Sequence, residues 1–502
     1  MSTAPVPMPD RAPEAPQLPA AVSASIPGRF WYVLASLAVL LPCYWQPRIQ
    51  GGDLSSHIYN VWLAGLIRAG RTEGLTIVPL RTNVLFDWIL ESLFRWFGAD
   101  WAQRLAVSAA VLIFAWGCFA FVSTLAGRRA WPMMPCLALL AYGWVFHMGF
   151  FNFYLSLGLC FWSLALAWKP RPARLIGAVA LFFIAYAAHA LPVAWAVAVW
   201  AYSWVANRLP PRVRPWLMAL SLALMAAAHI AVRRALVSVW SVNQLSSATG
   251  ADQAWVFDGK YFLLTALLLL IWGALFVELL QAQGGRGVAS SVPLHWSVLT
   301  AAGIFILPST VLIPGYQHAL VYIAERMSLA VAVCFCALLA TAPIRKFPHG
   351  ALAALALIFF AFLFRDERRL NHFEDRVEQA VDQLPSGARV VSPIIDPELR
   401  ADALTHMVDR ACLARCFSYA NYEASTAQFR IRVVRPNSYV VADYGDSWNL
   451  QNGKYVIKQG DPRLVSLSVS DQGQVQAQSL QPGVRNAPSF WLVLRDRKPP
   501  KQ

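Results

Sequence analysis

The stretch Gln50-Gly51-Gly52-Asp53-Leu54-Ser55-Ser56-His57-Ile58-Tyr59 holds the residue types and spacing best suited to chemistry. Asp53 stands just before a helix whose first turn carries His57, which brings a carboxylate and an imidazole to the same end and side of that helix. Such a pair can take a proton from a hydroxyl or ligate a metal. Helix capping with local hydrogen bonding competes with that role, and Asp53 can do both.

Other ionisable residues fall on the same side of the chain's apolar segments. His147, His189 and His318, the last beside Tyr316 and Gln317, lie at turns on that side; each is read first as a hydrogen-bonded boundary residue and second as a ligand or base. Arg326, Arg233 and Arg234, in that order, are candidate phosphate ligands through forked hydrogen bonds. Glu325 beside Arg326 can equally form an internal ion pair with it.

The elements that must position these groups are membrane helices. The chain is 57% hydrophobic and 14% charged, with a mean hydropathy of +0.46, far too apolar for a soluble protein of this length. Stretches able to span a bilayer fall near 30–47, 103–126, 131–148, 151–168, 173–188, 190–206, 215–232, 260–280, 294–313, 325–342 and 350–364, about eleven in all. Residues 1–29 are rich in Pro and Ala and read as a disordered cytoplasmic tail. The apolar run from Phe30 is an uncleaved first helix rather than a signal peptide.

Charge orients the chain. Arg128, Arg129, Lys169, Arg171, Arg174, Arg208, Arg212, Arg214, Arg286, Arg345 and Lys346 fall in loops on the side of the N-terminus, which marks that side as cytoplasmic. The formal charge of +15 is therefore a topology signal, and no nucleic-acid partner is expected. Eleven crossings put residues 365–502 outside, in a periplasm or lumen.

Of the 27 acidic residues, 16 follow residue 364. Among the 11 before it, Asp53, Glu73, Asp87, Glu91, Asp100, Asp252, Asp258 and Glu325 map to the external side, so any chemistry belongs there.

The first external loop, 48–102, is the longest. It carries two helical segments, 55–69 and 83–96, expected to lie on the membrane surface. Residues 365–502 form a small α+β domain, linked to the last crossing by an amphipathic helix over 368–384. Strands are expected at 388–395, 429–434, 439–442, 454–458 and 464–469. Cys412 and Cys416 lie there, in an oxidising setting; a disulfide is one reading, and poor alignment of sulfurs four apart on a helix is the argument against it. The other six cysteines sit in apolar runs as small hydrophobes.

An Asp directly after the first crossing, a long first external loop with two helices, about eleven crossings and an external C-terminal domain together resemble the GT-C superfamily of membrane glycosyltransferases, in particular the protein mannosyltransferase layout. Gly52-Asp53-Leu54-Ser55-Ser56-His57 resembles the first-loop Asp pattern of its bacterial members. The resemblance spans residues up to about 364. It implies transfer of a sugar from a polyprenyl phosphate donor to a glycan, lipid or protein acceptor of the cell envelope, at the external face of a bacterial inner membrane, with Asp53 as base or metal ligand. The second external loop offers His147, Met148 and Gly149 where metal-dependent members have Asp-x-Asp or Asp-x-Glu, so no metal or other cofactor is assigned.

The rivals are a transporter or flippase of an envelope precursor, and a non-catalytic subunit of an envelope complex. A transporter would carry charges near the bilayer midplane and paired broken helices, whereas here charges stop at the boundaries. No phosphate-cradling Gly-rich loop, zinc-type Cys and His set or Gly-x-Ser-x-Gly elbow is present.

Overall fold

A computed structural model describes residues 28–169, 171–312, 314 and 319–500. The tail expected over 1–29 lies almost wholly outside the described residues, as do Tyr316, Gln317 and His318. Val39–Gln502 form one compact unit.

The chain is mostly helical. Among the described residues, four helices are long and apolar enough to cross a membrane: Leu85–Ala126, Arg214–Ala235, Lys260–Ala289 and Lys346–Asp382. Shorter apolar helices include Phe151–Ala167, Pro172–Ala188, Ala190–Ala206 and Val292–Ile306. By length and composition this is the helix inventory of a membrane protein. Arg214–Ala235 has no buried residue, and its Trp216, Leu220, Leu224 and Ile230 are all exposed. An apolar surface of that kind is at home in lipid and a liability in water.

Each of the eleven apolar stretches contains helix, but the third is broken. Residues 131–148 fold as Trp131–Met133, Met134–Ala141 and Trp144–His147, interrupted around Tyr142 and Gly143. Proline at positions 132 and 135 suits short first turns rather than the interior of one long helix.

The long first loop departs from expectation in one respect. Its first helix, Gly52–Arg68, does not lie on a membrane surface: ten of its side chains, from Gly52 to Ala64, are buried. The C-terminal residues cover it. Tyr59 Oη accepts from the Ser418 amide at 3.0 Å, Asn421 Nδ2 donates to Asn60 Oδ1 at 2.7 Å, and Trp62 meets Phe417 with ring centroids 5.8 Å apart. Small residues and Asn, Ser and Tyr along this helix suit it to a polar protein interface better than to lipid. The second segment begins the Leu85–Ala126 helix, which turns sharply at Gly98 (φ 75°), and its Trp88, Trp96 and Phe97 are exposed.

Lys346–Asp382 runs unbroken from the last apolar stretch into the polar region, so the linker expected over 368–384 is a continuation of that helix. Its buried carboxylates are all engaged. Asp366 accepts from Lys260 Nζ at 2.9 Å and Tyr261 Oη at 2.7 Å, and Glu374 from Arg410 at 2.7 and 3.0 Å and Gln50 at 2.8 Å. Pairing of this kind is what makes a buried carboxylate tolerable.

The C-terminal region holds a four-stranded sheet in the order Phe417–Ser418, Arg389–Val391, Leu464–Val469 and Val475–Ser479. The first three are parallel and the last is antiparallel. Val391 and Leu464 of this sheet share a buried cluster with Tyr419, Val441, Leu450, Tyr455 and Ile457. Residues 439–442 are not a strand, and 454–458 make only a single bridge, Val456 to Arg485. Ile431–Val433 pairs instead with Leu75–Ile77 of the first loop, Thr76 opposite Arg432, which ties loop and C-terminal region into one sheet.

Cys412 and Cys416 form a disulfide. The helix Met407–Ala411 ends at Cys412, and Ala414 adopts φ 60°. The chain thus leaves helical geometry between the two thiols, which removes the alignment objection.

Candidate functional site

The first loop, the ends of several helices and the C-terminal region enclose a cavity of about 780 Å³. Asp53, His57, His189 and Arg326 line it, together with Asp402, His406, Tyr422, Glu423, Arg81 and Arg432.

Asp53 does not cap its helix. Gly51 is the N-cap, with no side-chain hydrogen bond, and the Asp53 amide donates to Met148 O at 3.0 Å. Close approach of three backbone segments fixes it there. A Cβ on Gly149, which sits at φ 80°, would lie 2.4 Å from the Asp53 amide nitrogen, and one on Gly52 would lie 2.3 Å from the Asp402 carbonyl oxygen. Glycine at both positions is what allows the first loop, the 143–151 turn and the 400–406 segment to meet.

With its backbone so held, the Asp53 carboxylate reaches toward His406, Oδ1 to Nε2 3.7 Å. Asp409 binds the far side of that ring, Nδ1 to Oδ2 2.9 Å, and Ser418 Oγ donates to the other Asp409 oxygen at 2.5 Å. One turn beyond Asp53, His57 is held in the same manner. Its Nδ1 lies 2.8 Å from Asp87 Oδ1, and Asn152 Nδ2 donates to Asp87 Oδ2 at 3.0 Å. Two imidazoles, each braced by a buried carboxylate, therefore flank Asp53.

Burial raises the Asp53 carboxyl above its ordinary range, opposed first by the charge of His406, then by those of His57 and Arg326. For His57, burial favours the neutral ring, but the charge and hydrogen bond of Asp87 outweigh it and push the group up to about 9. At His406 burial is likewise overcome, by the hydrogen bond and charge of Asp409, and the ring sits at about 9. Burial raises Glu423 to about 7. At neutral pH the two rings beside Asp53 are thus imidazolium cations.

Arg326 adds a third cation. Its guanidinium lies 3.8 Å over the ring of Phe150, and its Nε is buried without a hydrogen-bond partner. No carboxylate forms an ion pair with it among the described residues. The neighbouring Glu325 is not its partner: that side chain is buried and accepts from Ser309 Oγ at 2.8 and 3.0 Å, away from the cavity lining. A guanidinium that lines a cavity with no carboxylate paired to it is set up to receive an anion.

The other expected site residues separate. His147 is fully buried, donates or accepts at Glu367 Oε1 over 3.1 Å, and does not line the cavity. Arg233 and Arg234 are exposed at the end of Arg214–Ala235 and contribute nothing to the lining. His189 lines the cavity but also caps the Ala190–Ala206 helix, accepting from the Leu191 amide at 3.2 Å. His318 lies outside the described residues. Among the described residues no group of three or more His, Cys, Asp or Glu side chains is placed to hold a metal ion.

The C-terminal contribution was missed by sequence reasoning. Asp402, Thr405, His406 and Asp409 form a dense polar run in which His406 and Asp409 stand three apart, the spacing of neighbours on one helical face. That run was the available signal.

A second cavity, of about 590 Å³, lies among the membrane-type helices and is lined by Trp195, Tyr202, Leu217, Met225, Leu299 and Ile304, with Leu191 lining both cavities. Arg326 faces the first cavity and the next residue, Met327, the second.

No protein-family model, no curated protein and no solved structure matches this chain.

Proposed function

We propose that this protein is a membrane glycosyltransferase of the GT-C type, which moves a sugar from a polyprenyl phosphate donor to an envelope acceptor at the external face of a bacterial inner membrane. In this reading the N-terminus is cytoplasmic, and the first loop and C-terminal region are periplasmic.

One observation carries the reading. Asp53 and the unpaired Arg326 line the same cavity, and that cavity adjoins an apolar one among the membrane-type helices. A lipid-linked sugar has that division: an anionic head with a sugar, and a hydrocarbon tail. The head fits the polar cavity, its phosphate at Arg326, and the tail the apolar side.

The reaction needs little beyond positioning and charge. The acceptor hydroxyl oxygen attacks the sugar's anomeric carbon, and the bond from that carbon to the phosphate oxygen breaks. The polyprenyl phosphate leaves with the electron pair, and the hydroxyl proton passes to Asp53. Arg326 stabilises the charge gathering on the departing phosphate.

The test is Asp53→Asn in the native host, with envelope glycans and lipid-linked sugars profiled. Loss of a general base lowers transfer by about 100-fold or more, so the product glycan should disappear and its lipid-linked precursor accumulate. An unchanged glycan and precursor profile, with the variant present in the membrane at normal levels, overturns the proposal.

A further inference from the structure

The C-terminal region does more to the cavity than roof it. His406 is 6% exposed and Asp409 1%, and both lie on or beside the Met407–Ala411 helix, which the Cys412–Cys416 disulfide closes off. Asp409 is held at both oxygens, by the His406 ring at 2.9 Å and by Ser418 at 2.5 Å. Ser418 is in turn fixed to the first loop, its amide donating to Tyr59 on the same helix as Asp53. The imidazole therefore has one direction open to it, and Nε2 points at Asp53 across 3.7 Å.

We infer that His406 is a positioning residue for Asp53: clamped by Asp409, it supplies from the C-terminal region the opposing charge that holds the Asp53 carboxylate ready as proton acceptor. The inference rests on the glycosyl-transfer reading for the use of that carboxylate, but its physical content concerns only the two side chains.

The surroundings define what His406 must accomplish. Asp53 faces His406, Asp402, Tyr422 and Glu423 from the C-terminal region, His57 from its own helix, Arg326 from Ile323–Leu339 and Tyr322 just before that helix. His406 itself faces Asp409, Asp53 and Asp402, and its ring meets that of Tyr422 at 5.4 Å. Burial alone favours a neutral, protonated Asp53, which could not accept a proton; His406 is the largest influence in the opposite direction. Arg326 is engaged by phosphate once donor binds, so its charge is then shared, whereas His406 is braced from behind by a dedicated carboxylate. The ring at about 9 remains cationic through neutral pH, so the bracing works where the enzyme would operate.

The arrangement also explains why a long polar region is built into the fold around the first loop. His57 and Arg326 bring cations to Asp53 from the first loop and an apolar helix, and His406 is the one that the C-terminal region adds.

The test uses the full chain in detergent and reads Asp53 directly. Dicyclohexylcarbodiimide modifies protonated carboxyls in apolar settings, and mass spectrometry of the Asp53 peptide gives the extent of labelling at each pH. Labelling of the wild-type residue should fall as pH rises. In His406→Ala the fall should move upward by about one pH unit or more, the size of shift that losing one close opposite charge produces. Asp409→Asn should move it in the same direction by less, and His406→Arg should return it toward the wild-type position. Coincident profiles for wild type and a folded His406→Ala overturn the inference. If that variant does not fold, coincidence of wild type with both His406→Gln and Asp409→Asn does so.

The outcomes separate from those of the preceding proposal. A shifted labelling profile together with unchanged glycans in Asp53→Asn upholds the pairing of His406 with Asp53 and removes glycosyl transfer. A profile that does not move, with glycans lost in Asp53→Asn, retains transfer and removes the role of His406.

Discussion

The two cavities differ less in size, about 780 against about 590 Å³, than in what encloses them. The apolar one is walled by side chains of helices such as Ala190–Ala206, Arg214–Ala235 and Val292–Ile306, with Met327 of Ile323–Leu339. The polar one is an assembly of distant segments. It exists because residues near 53, 149, 326, 402 and 422 converge, and that convergence is secured by buried ion pairs such as Arg410–Glu374 and Arg430–Glu91. Hydrocarbon packing suffices for one cavity. Charges have to be paired and covered for the other.

That contrast is broken most directly at Gly149. A methyl group there would stand 2.4 Å from the Asp53 amide on a backbone already at φ 80°, so Gly149→Ala must push the 143–151 turn and the Asp53 helix apart. The left-handed conformation alone costs a non-glycine residue about 1–3 kcal/mol. A misplacement of about 1 Å at Asp53 should lower sugar transfer by about 100-fold. The apolar cavity should be untouched. Glycan profiling gives the first effect, and binding of an apolar fluorophore in detergent reports the second; equal loss of both would mean that the two cavities are not independent.

pH should act on the same asymmetry. His57 and His406 both sit at about 9, above the ordinary histidine value of 6.5. Raised histidines stabilise the fold fully below about 6.5, and that contribution is lost as pH climbs through about 9. The Val292–Ile306 helix, by contrast, holds no acidic residue with which a histidine could form such a pair. Hydrogen exchange of the Gly52–Arg68 helix and of residues 400–425 should therefore accelerate between pH 7 and 10 beyond the intrinsic base dependence, while the Val292–Ile306 helix keeps its protection. Uniform behaviour across the three segments would contradict this.

The disulfide offers a smaller perturbation. Cys412 and Cys416 close a loop of five residues, and chain-entropy bookkeeping assigns a loop that short about 2 kcal/mol. Cys412→Ser with Cys416→Ser should lower the midpoint of denaturant unfolding of the C-terminal region accordingly. Neither sulfur lines the cavity, so transfer at low temperature should fall no more than a few fold.

The same division decides what could be read in the sequence. Apolar runs announce membrane-type helices by length alone, and nearly every expected stretch is helical. Asp53, His57 and Arg326 were legible because they sit where apolar runs begin or end, and polar residues at such boundaries stand out. His406, Asp402, Tyr422 and Glu423 were not, because they lie in a polar region where one more polar residue is unremarked; only chain topology brings them to Asp53. Burial of the Gly52–Arg68 helix was missed for the same reason, since its partner is more than 300 positions away. Gly52 and Gly149 carried no visible role until the backbones they admit were seen together.

Arg233 and Arg234 supply the smallest expected effect and the sharpest control. Both follow an apolar stretch, and both are cationic at a helix end. They differ from Arg326 in being exposed and in lying outside the cavity lining. An exposed arginine without a structural partner contributes little to stability or to a distant site. Arg326→Ala removes a lining cation whose Nε is buried and unsatisfied, and should reduce transfer by about 100-fold, comparable to losing a single charge-stabilising donor at a reacting centre. Replacing Arg233 and Arg234 together by Ala should leave transfer within about twofold, the size of effect usual for surface substitutions. If the paired replacement proved as damaging as Arg326→Ala, phosphate binding would have to move from the polar cavity to the end of the Arg214–Ala235 helix.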